Sequence, residues 1–227
     1  MRLKPWRESN IMKNTLMAVI ALFFVANAAA QKFTDAERTL VKGGDRNAKM
    51  RVLQVTDAAD LKILQTLSTN IDVKDESLLL LTQRMYATVR DTANPGVGIA
   101  APQVGINKNV IWVQRFDKPG EPFEIYLNPK ITWRSSLMRK GAEGCLSIPD
   151  IRGDVLRNYT IKLTYFDMDG KFHDEMIEGF TAVIFQHETD HLLGILFTDR
   201  LSQQSKQQYN LINGEVNLYL EKMLRRQ

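Results

Sequence analysis

Two histidines in the segment from Gln186 to Gly194 are spaced so that they can bind one metal ion. His187 and His191 are four residues apart, and on an α-helix such residues lie on one face, one turn apart. Glu188 directly follows the first histidine, and a carboxylate next to a bound ion is placed to move protons. The motif therefore predicts a catalytic metal site built on a helix.

Cys145 is the predicted third protein ligand, and it is the only cysteine of the chain. One cysteine and two histidines leave one position of a tetrahedral ion open for water, as in catalytic metal sites. The competing interpretation is that the histidines are core residues with ordinary partners, because the same spacing also occurs by chance in long helices.

The sequences that flank the motif favour the metal site. Residues 180–185 and 192–197 are almost wholly apolar, and a helix that is apolar nearly all round is buried. Buried glutamate and histidine side chains need partners, which a metal ion supplies. The helix is expected from about Gly179 to Leu193, with Gly194 as its stop signal.

Length and charge limit the class of protein. The 227 residues have ordinary apolar and charged fractions, which suits a single domain with its own core. The net charge is +4, but the first 31 residues hold four basic residues against one acidic residue, which leaves about +1 for the rest. A basic nucleic-acid surface is not indicated, and no DNA partner is expected. One cysteine excludes an internal disulfide bond.

The N-terminal residues 1–31 have the pattern of a leader. Basic residues end at Lys13, an apolar run follows from Leu16 to Ala26, and small residues come next. This order is typical of a secretory signal peptide, and the run is too short for a comfortable membrane span. An unprocessed, unstructured leader and a true start at Met12 are the alternatives. No later segment predicts a stable span in the mature protein.

Residues 32–227 are predicted to form one α+β domain, without repeats. A helix is expected from Asp75 to about Arg90, because its apolar residues recur at helical spacing. A final helix is expected around Val216–Leu224, with a basic end. Strands are predicted at residues 110–114, 123–127, 160–166 and 171–177, with a hairpin turn at Asp169-Gly170. Asn128-Pro129 is expected to break the second strand, which can resume at residues 131–133.

The glycine-rich segment from Gly96 to Gly105 is not a dinucleotide-binding fingerprint, because the third glycine and the following helix pattern are missing. Small residues do allow a backbone to approach a ligand closely. Gln103 would add a polar side chain to such a wall.

Three segments of the chain carry the candidate site residues: Gly96-Val97-Gly98-Ile99-Ala100-Ala101-Pro102-Gln103, Glu143-Gly144-Cys145-Leu146-Ser147 and Gln186-His187-Glu188-Thr189-Asp190-His191. Together they resemble the bacterial peptide deformylase family. They occur in the order and at the approximate spacing of that family, and the likeness covers roughly residues 50 to 225. Ile99 stands where the family more often has leucine. The resemblance implies a peptide deformylase-like fold, in which small antiparallel sheets surround a central HExxH helix.

The resemblance implies a hydrolase that removes formate from N-formyl-methionine at the start of newly made polypeptides. Cys145, His187 and His191 would bind one divalent metal ion. Iron(II) is the expected native ion, and zinc, nickel or cobalt are possible occupants. Glu188 would take a proton from water and pass it to the leaving amine. The oxyanion donors would be the Gln103 side chain and the Leu146 backbone N–H.

The family also implies which residues contact the peptide. The Gly98 backbone would pair with the extended substrate. Glu143 is expected to pair with a basic group, with Arg152 as a candidate. For Val183 and Ile184, plain core packing is the alternative role. The pocket for the methionine side chain would be lined by Val97, Gly144, Leu146, Arg152, Val183 and Ile184.

Two other functions and two locations remain open at this point. An HExxH metallopeptidase would normally take its third ligand from beyond the helix, where this chain has no histidine. A non-catalytic metal-binding relative would be favoured if Glu188 or Gln103 were absent, and both are present. The resemblance to the family implies a location in the cytoplasm, where the basic C-terminal helix could contact the ribosome. The leader points instead to export into the periplasm.

Overall fold

The structure is a computed structural model that describes residues 30–222. Nearly all of the predicted leader, including Met12, and the last five residues therefore lie outside the described part of the chain. The helices are α1 (Asp35–Lys42), α2 (Ala58–Leu64), α3 (Leu78–Val89), α4 (Gly179–Leu192) and α5 (Phe197–Gln204), with a 3-10 helix at Ala101–Val104. The strands are β1 (Gly98–Ala100), β2 (Val110–Gln114), β3 (Phe123–Arg134), β4 (Leu137–Cys145), β5 (Ile148–Asn158), β6 (Thr160–Phe166), β7 (Phe172–Glu178), β8 (Tyr209–Asn213) and β9 (Leu218–Glu221).

The strands form two antiparallel sheets within residues 30–222. The first sheet has the order β1-β2-β3-β6-β7, and the second has the order β5-β4-β9-β8. Sequential strands are joined mainly by hairpins, as antiparallel pairing allows. The predicted α+β class and the arrangement of small antiparallel sheets around the HExxH helix are confirmed.

The first sheet is covered by helices on both of its faces. Ile111 and Val113 of β2 belong to one buried cluster with Phe185 of α4. Val110, which points to the opposite face, belongs to a second cluster with Met85 of α3. This alternation follows from the two-residue period of a strand. It places α4, and with it the two histidines, against the inner face of β1 and β2.

The predicted elements around the site are confirmed with small changes at their ends. The α3 residues at helical spacing, Leu78, Leu81, Met85 and Val89, are at most 1% exposed, whereas Leu79 on the opposite face is exposed. The predicted hairpin is formed by β6 and β7, with Gly170 at a φ of +76° in its turn. Helix α4 runs from Gly179 to Leu192, close to the predicted range.

Two short helices near the N-terminus were not predicted. Helix α1 begins with a capping box, in which the Glu37 amide donates to the Thr34 hydroxyl at 3.2 Å and the Thr34 amide donates to the Glu37 carboxylate at 2.8 Å. Helix α2 is capped by Asp57, whose side chain accepts from Ala59 and Asp60. Buried Arg84 of α3 donates to the backbone at the end of α1 and so fixes that helix to the domain.

The predicted break at Asn128-Pro129 does not end the strand, and the predicted continuation at residues 131–133 is confirmed. Strand β3 continues through it to Arg134, and the register to β6 shifts between Leu127 and Lys130. Asn128 adopts a positive φ of 52°, and its side chain bonds both backbone groups of Ile71. The asparagine and proline therefore produce a bulge inside a long strand.

The predicted C-terminal helix is also wrong over the described residues. The segment forms the β8–β9 hairpin, and β9 pairs with β4 at Leu137–Leu220 and Arg139–Leu218. Leu218 and Leu220 are two residues apart, which suits a strand, and the open edge of β4 supplies the partner that the sequence does not reveal. Residues 223–227, including the expected basic end, lie outside the described range. The C-terminal helix that was expected to contact the ribosome is therefore not formed up to residue 222.

Gln31 forms an isolated parallel bridge with Ile71. Within residues 30–222, no helix has the length and apolar character needed to cross a membrane.

Gly194→Ala is expected to lower the free energy of unfolding by about 2–5 kcal/mol, since a left-handed non-glycine residue and an overpacked contact each contribute. Gly194 follows α4 with a φ of +70°, and an added Cβ would lie 2.4 Å from the Gln65 carbonyl oxygen. Gly179→Ala is the matched control, because Gly179 has a φ of +65° but no atom within 4 Å of its added Cβ. Urea unfolding of both variants should show the larger loss at Gly194, and equal losses would contradict the clash.

Candidate metal centre

Helix α4 carries both histidines to the centre of the molecule. Their ring centroids lie 5.1 Å apart, as expected for residues one helical turn apart. His191 is 1% exposed and Glu188 is 4% exposed. Gln186, also buried, is held by hydrogen bonds to the backbone N–H and C=O of Asn158, so the helix is fixed to β5. The sequence prediction that this helix is largely buried is confirmed.

Cys145 meets the two histidines from the end of β4. Its Sγ lies 3.3 Å from Nε2 of His191, and the ligand atoms of Cys145, His187 and His191 all lie within 4.8 Å of one another. A thiolate and two imidazoles are the donor set that zinc and other divalent transition metals prefer. Among the described residues, Cys145, His187 and His191 form a cluster of side chains close enough together to bind one metal ion.

Glu143 orients the first histidine. Its carboxylate accepts a hydrogen bond from Nδ1 of His187 at 2.8 Å, which leaves Nε2 of that ring for a metal ion. Arg157 donates to both oxygens of the same carboxylate at 2.8 and 2.9 Å. Burial opposes ionisation of Glu143, but the bonds and charges of Arg157 and His187 prevail and lower its pKa to about 2. The suggested pairing of Glu143 with Arg152 is wrong, because Arg157 takes that place.

Glu188 is the buried acid of the site. Burial raises its pKa to about 7, and the charges of His187 and His191 oppose that rise. Its Oε2 atom is buried and has no hydrogen-bond partner among the described residues. The other oxygen faces β1, where a Cβ added to Gly98 would lie only 2.5 Å from Oε1. An orphaned carboxylate oxygen beside three metal-ligating atoms fits a site built for a cation and a water molecule.

Gln103 lies on the other side of the centre, in the 3-10 helix that follows β1. Its Oε1 accepts from the Ala100 amide at 2.9 Å, so the NH2 group must point toward the site. That Nε2 lies 3.4 Å from Sγ of Cys145 and 3.3 Å from Oγ of Ser147. The amide is thus a fixed hydrogen-bond donor next to the metal-ligating sulfur.

Leu146 follows Cys145 in the tight turn between β4 and β5. Gln54 donates to its carbonyl oxygen at 3.0 Å and fixes the peptide from outside. The Leu146 side chain packs close to Gly96, where an added Cβ would lie 3.1 Å from Cδ1. The turn therefore adjoins the glycine-rich segment before β1.

The residues predicted to contact the peptide fall into two groups. Gly98 belongs to β1, which is at the edge of its sheet and leaves one side of its backbone unpaired by β2. Arg152 lies beside Gly144, with its Nη1 3.3 Å from an added Cβ, and Val97 is 38% exposed. In contrast, Val183 is half-buried, and Ile184 is 3% exposed within the core around α4.

Sequence reasoning did not find the residues that support the ligands from outside. Arg157 also contacts Asp190, which is 4% exposed and is bonded by Arg200 as well. Burial opposes ionisation of Asp190, but the bonds and charges of Arg200 and Arg157 lower its pKa. Phe197 stacks on His187 with a centroid distance of 6.1 Å. In the sequence, the one signal for this support is Asp190, since an acidic residue on a buried helix requires a basic partner.

Together, an α+β fold and a buried Cys-His-His centre with an adjacent glutamate define a metal-dependent hydrolase. Residues 50–207 match the sequence model of the polypeptide deformylase family. The chain belongs to the polypeptide deformylase family, whose function is to remove the formyl group from newly made polypeptides. The predicted family, reaction class and enzymatic nature are confirmed.

Known peptide deformylases are similar in both sequence and structure. The enzyme of Caulobacter sp. (strain K31) is 41% identical over 154 residues, which is 67% of this chain and 88% of that protein. The Met-Ala-Ser-bound class I type b enzyme of Acinetobacter baumannii is 37% identical with a TM-score of 0.62, and the match covers 68% of this chain and 99% of that one. The Thermotoga maritima enzyme is 33% identical with a TM-score of 0.60 over 67% of this chain and 97% of that one.

Proposed function

We propose that this enzyme hydrolyses the N-formyl group of formyl-methionyl peptides with one metal ion held by Cys145, His187 and His191. The observation that carries the proposal is the geometry of Glu188. Among the described residues, one oxygen of its buried carboxylate has no hydrogen-bond partner, and it lies next to the three converging ligand atoms.

Iron(II) is the proposed native ion, and zinc, nickel and cobalt are possible occupants. The donors suit all of them, since imidazole and thiolate bind each of these divalent metals. When bound, the ion supplies a Lewis acid for the formyl oxygen and lowers the pKa of a coordinated water toward about 7. The Glu143 carboxylate keeps the His187 lone pair on Nε2 available for this purpose.

Glu188 is the proposed general base and acid. Burial raises its pKa to about 7, so it can exchange a proton near neutral pH. In the proposed reaction it accepts a proton from the attacking water and delivers one to the leaving amine of methionine. Formate and a free N-terminal amine are the products.

Gln103 and Leu146 are the proposed donors to the formyl oxygen as negative charge develops on it. The Gln103 amide is oriented by its bond to Ala100, and the Leu146 peptide is held by Gln54. Donors that are fixed before the reaction stabilise a developing charge without the cost of reorganisation.

The proposed peptide site runs along the edge of β1. The Gly98 backbone would pair with the extended substrate, as strands commonly add to an open sheet edge. Arg152 is exposed beside Gly144 and would contact the peptide from the other side. The methionine side chain would lie near Val97, Leu146 and Val183, and Ile184 would support that wall from the core.

Formate release from formyl-Met-Ala-Ser by protein reconstituted anaerobically with iron(II) is the expected result. The Met-Ala-Ser product should stay intact, which distinguishes a deformylase from an HExxH metallopeptidase. Metal-free protein and acetyl-Met-Ala-Ser are the controls, and neither should give product. Cleavage of an internal peptide bond without formate would favour the peptidase, and metal binding without either product would favour a non-catalytic relative.

We also propose a cytoplasmic location, where newly made polypeptides carry the formyl group. Export to the periplasm is the alternative, because residues 1–31 have the pattern of a signal peptide. N-terminal sequencing of the mature protein separates the two. A first residue near Ala29 or Gln31 would contradict the cytoplasmic assignment.

A further inference from the structure

We propose that Phe197 and Arg200 of α5 are positioning residues for the metal centre, which set how tightly His187 and α4 hold the ion. The inference rests on the proposed metal site. Both residues lie on α5, outside the segments that carry the ligands.

The first contact is between rings. Phe197 is 1% exposed, and its ring stacks on the His187 imidazole at a centroid distance of 6.1 Å and an interplanar angle of 24°. The Glu143 carboxylate holds Nδ1 of the same imidazole at 2.8 Å. The ring is therefore constrained both in its plane and across its face, so its Nε2 has one preferred direction.

The second contact comes one helical turn later. Arg200 is three residues after Phe197, so both side chains leave the same face of α5. Its Nε lies 2.9 Å from Oδ2 of Asp190, and its Nη2 contacts Oδ1 of the same carboxylate. Asp190 is 4% exposed and immediately precedes the ligand His191. Arg200 thus fixes the final turn of α4 at the position next to a ligand.

These contacts belong to one chain of alternating charges. Arg200 forms an ion pair with Asp190, and Asp190 forms a second one with Arg157. Arg157 in turn pairs with Glu143 at 2.8 Å, and Glu143 accepts a hydrogen bond from His187. Asp190, Arg157 and Glu143 each hold two partners in this chain, so the loss of the outer guanidinium allows Asp190 and Arg157 to change their geometry. Outer partners of metal ligands typically contribute 10–100-fold to metal affinity.

Removal of Arg200 should not unfold the protein. Asp190 keeps Arg157 as a partner, so no buried charge is left without one. The Arg200 side chain is 30% exposed, and its removal opens little space in the core. Arg200→Met therefore tests the role of the Arg200 guanidinium in a protein that still folds.

Gln204 offers a matched control on the same helix. Its Oε1 accepts from the Leu156 amide at 2.8 Å, and its Nε2 donates to the Asp154 carbonyl at 2.7 Å. These bonds hold α5 against β5 without touching the chain of charges. Gln204→Ala should therefore loosen the docking of α5 but leave the metal ligands in place.

The experiment is a titration of metal-free full-length protein with Co²⁺ against a competing chelator, together with the visible spectrum of the bound cobalt. Arg200→Met should bind Co²⁺ about ten-fold more weakly than wild type, with an altered d–d spectrum. Arg200→Lys should fall between the two, because it keeps the charge with fewer donors. Gln204→Ala should show wild-type affinity and spectrum. Thermal unfolding of each metal-free protein reports its fold.

Two results would overturn the inference. One is wild-type affinity and spectrum in Arg200→Met. The other is an equal loss in Gln204→Ala, which would assign the effect to general docking of α5. If Arg200→Met does not fold, Arg200→Lys decides by the same two measurements. A wild-type protein that binds no cobalt, or binds it equally well after Cys145→Ala, would instead overturn the proposed metal centre itself.

Discussion

Glu188→Gln is expected to lower the rate of formate release by about 10²–10⁴-fold, the usual contribution of a general acid–base group. The amide has nearly the same shape as the carboxylate but cannot accept and return a proton. Because Cys145, His187 and His191 are unchanged, the variant should still bind one metal ion. Metal analysis and steady-state kinetics on the same preparation test both statements.

Stability separates this loss from a folding defect. Burial raises the pKa of Glu188 to about 7, so above that pH the ionised carboxylate destabilises the folded state relative to the unfolded chain. The neutral amide removes this penalty. Metal-free Glu188→Gln should therefore unfold at pH 8 at an equal or higher urea concentration than metal-free wild type.

Glu188→Asp is the conservative comparison. It keeps an ionisable group but withdraws it by one methylene, and misplacement by about 1 Å can cost about 10²-fold. An activity between wild type and Glu188→Gln is expected. More than a tenth of wild-type activity in Glu188→Gln would assign the proton transfer to another residue.

The metal centre could be predicted from the sequence because its parts are local or unique. The spacing of His187 and His191 fixes their relation on any helix, whatever the rest of the fold. Cys145 is 42 residues before the first histidine, but it is the only thiol in the chain. Residue chemistry alone therefore left one candidate position for a thiolate ligand.

The support of the centre could not be predicted, because it depends on contacts between distant segments. Nothing in the sequence distinguishes Arg157 from Arg152 as the partner of Glu143. The choice follows from the β4–β5 pairing, in which residues 149–152 bulge out beside Gly144 and Arg157 lies inside. The link from Arg200 to Asp190 likewise requires the docking of α5.

The two errors in secondary structure have the same origin. Leu218 and Leu220 suit either a strand or part of a helix, and the open edge of β4 decides for the strand. Asn128-Pro129 is a strong local break signal, yet the bonds between Asn128 and Ile71 hold the bulge in place. In contrast, the capping box of Thr34 and Glu37 was visible in the sequence and would have indicated α1.

Gly98→Ala is expected to lower formate release by about 10²-fold and the free energy of unfolding by about 1–3 kcal/mol. An added Cβ would lie 2.5 Å from Oε1 and 2.9 Å from Cδ of Glu188, so the carboxylate must move. The φ angle of Gly98 is not in the left-handed region, so the effect comes from the contact and not from backbone strain. Kinetics and urea unfolding measure the two losses.

The double variant identifies the side chain responsible. In a Glu188→Ala background the obstructing atoms are gone, so Gly98→Ala should cost little further stability, and the coupling between the two positions should be about 1–3 kcal/mol. Gly141→Ala is the matched control, because Gly141 is also in a strand but has no atom within 4 Å of its added Cβ. Equal stability losses from Gly98→Ala in both backgrounds would mean that the glycine is required by something other than Glu188. A loss confined to the background that retains Glu188 would show that glycine at this position of β1 leaves room for the Glu188 carboxylate.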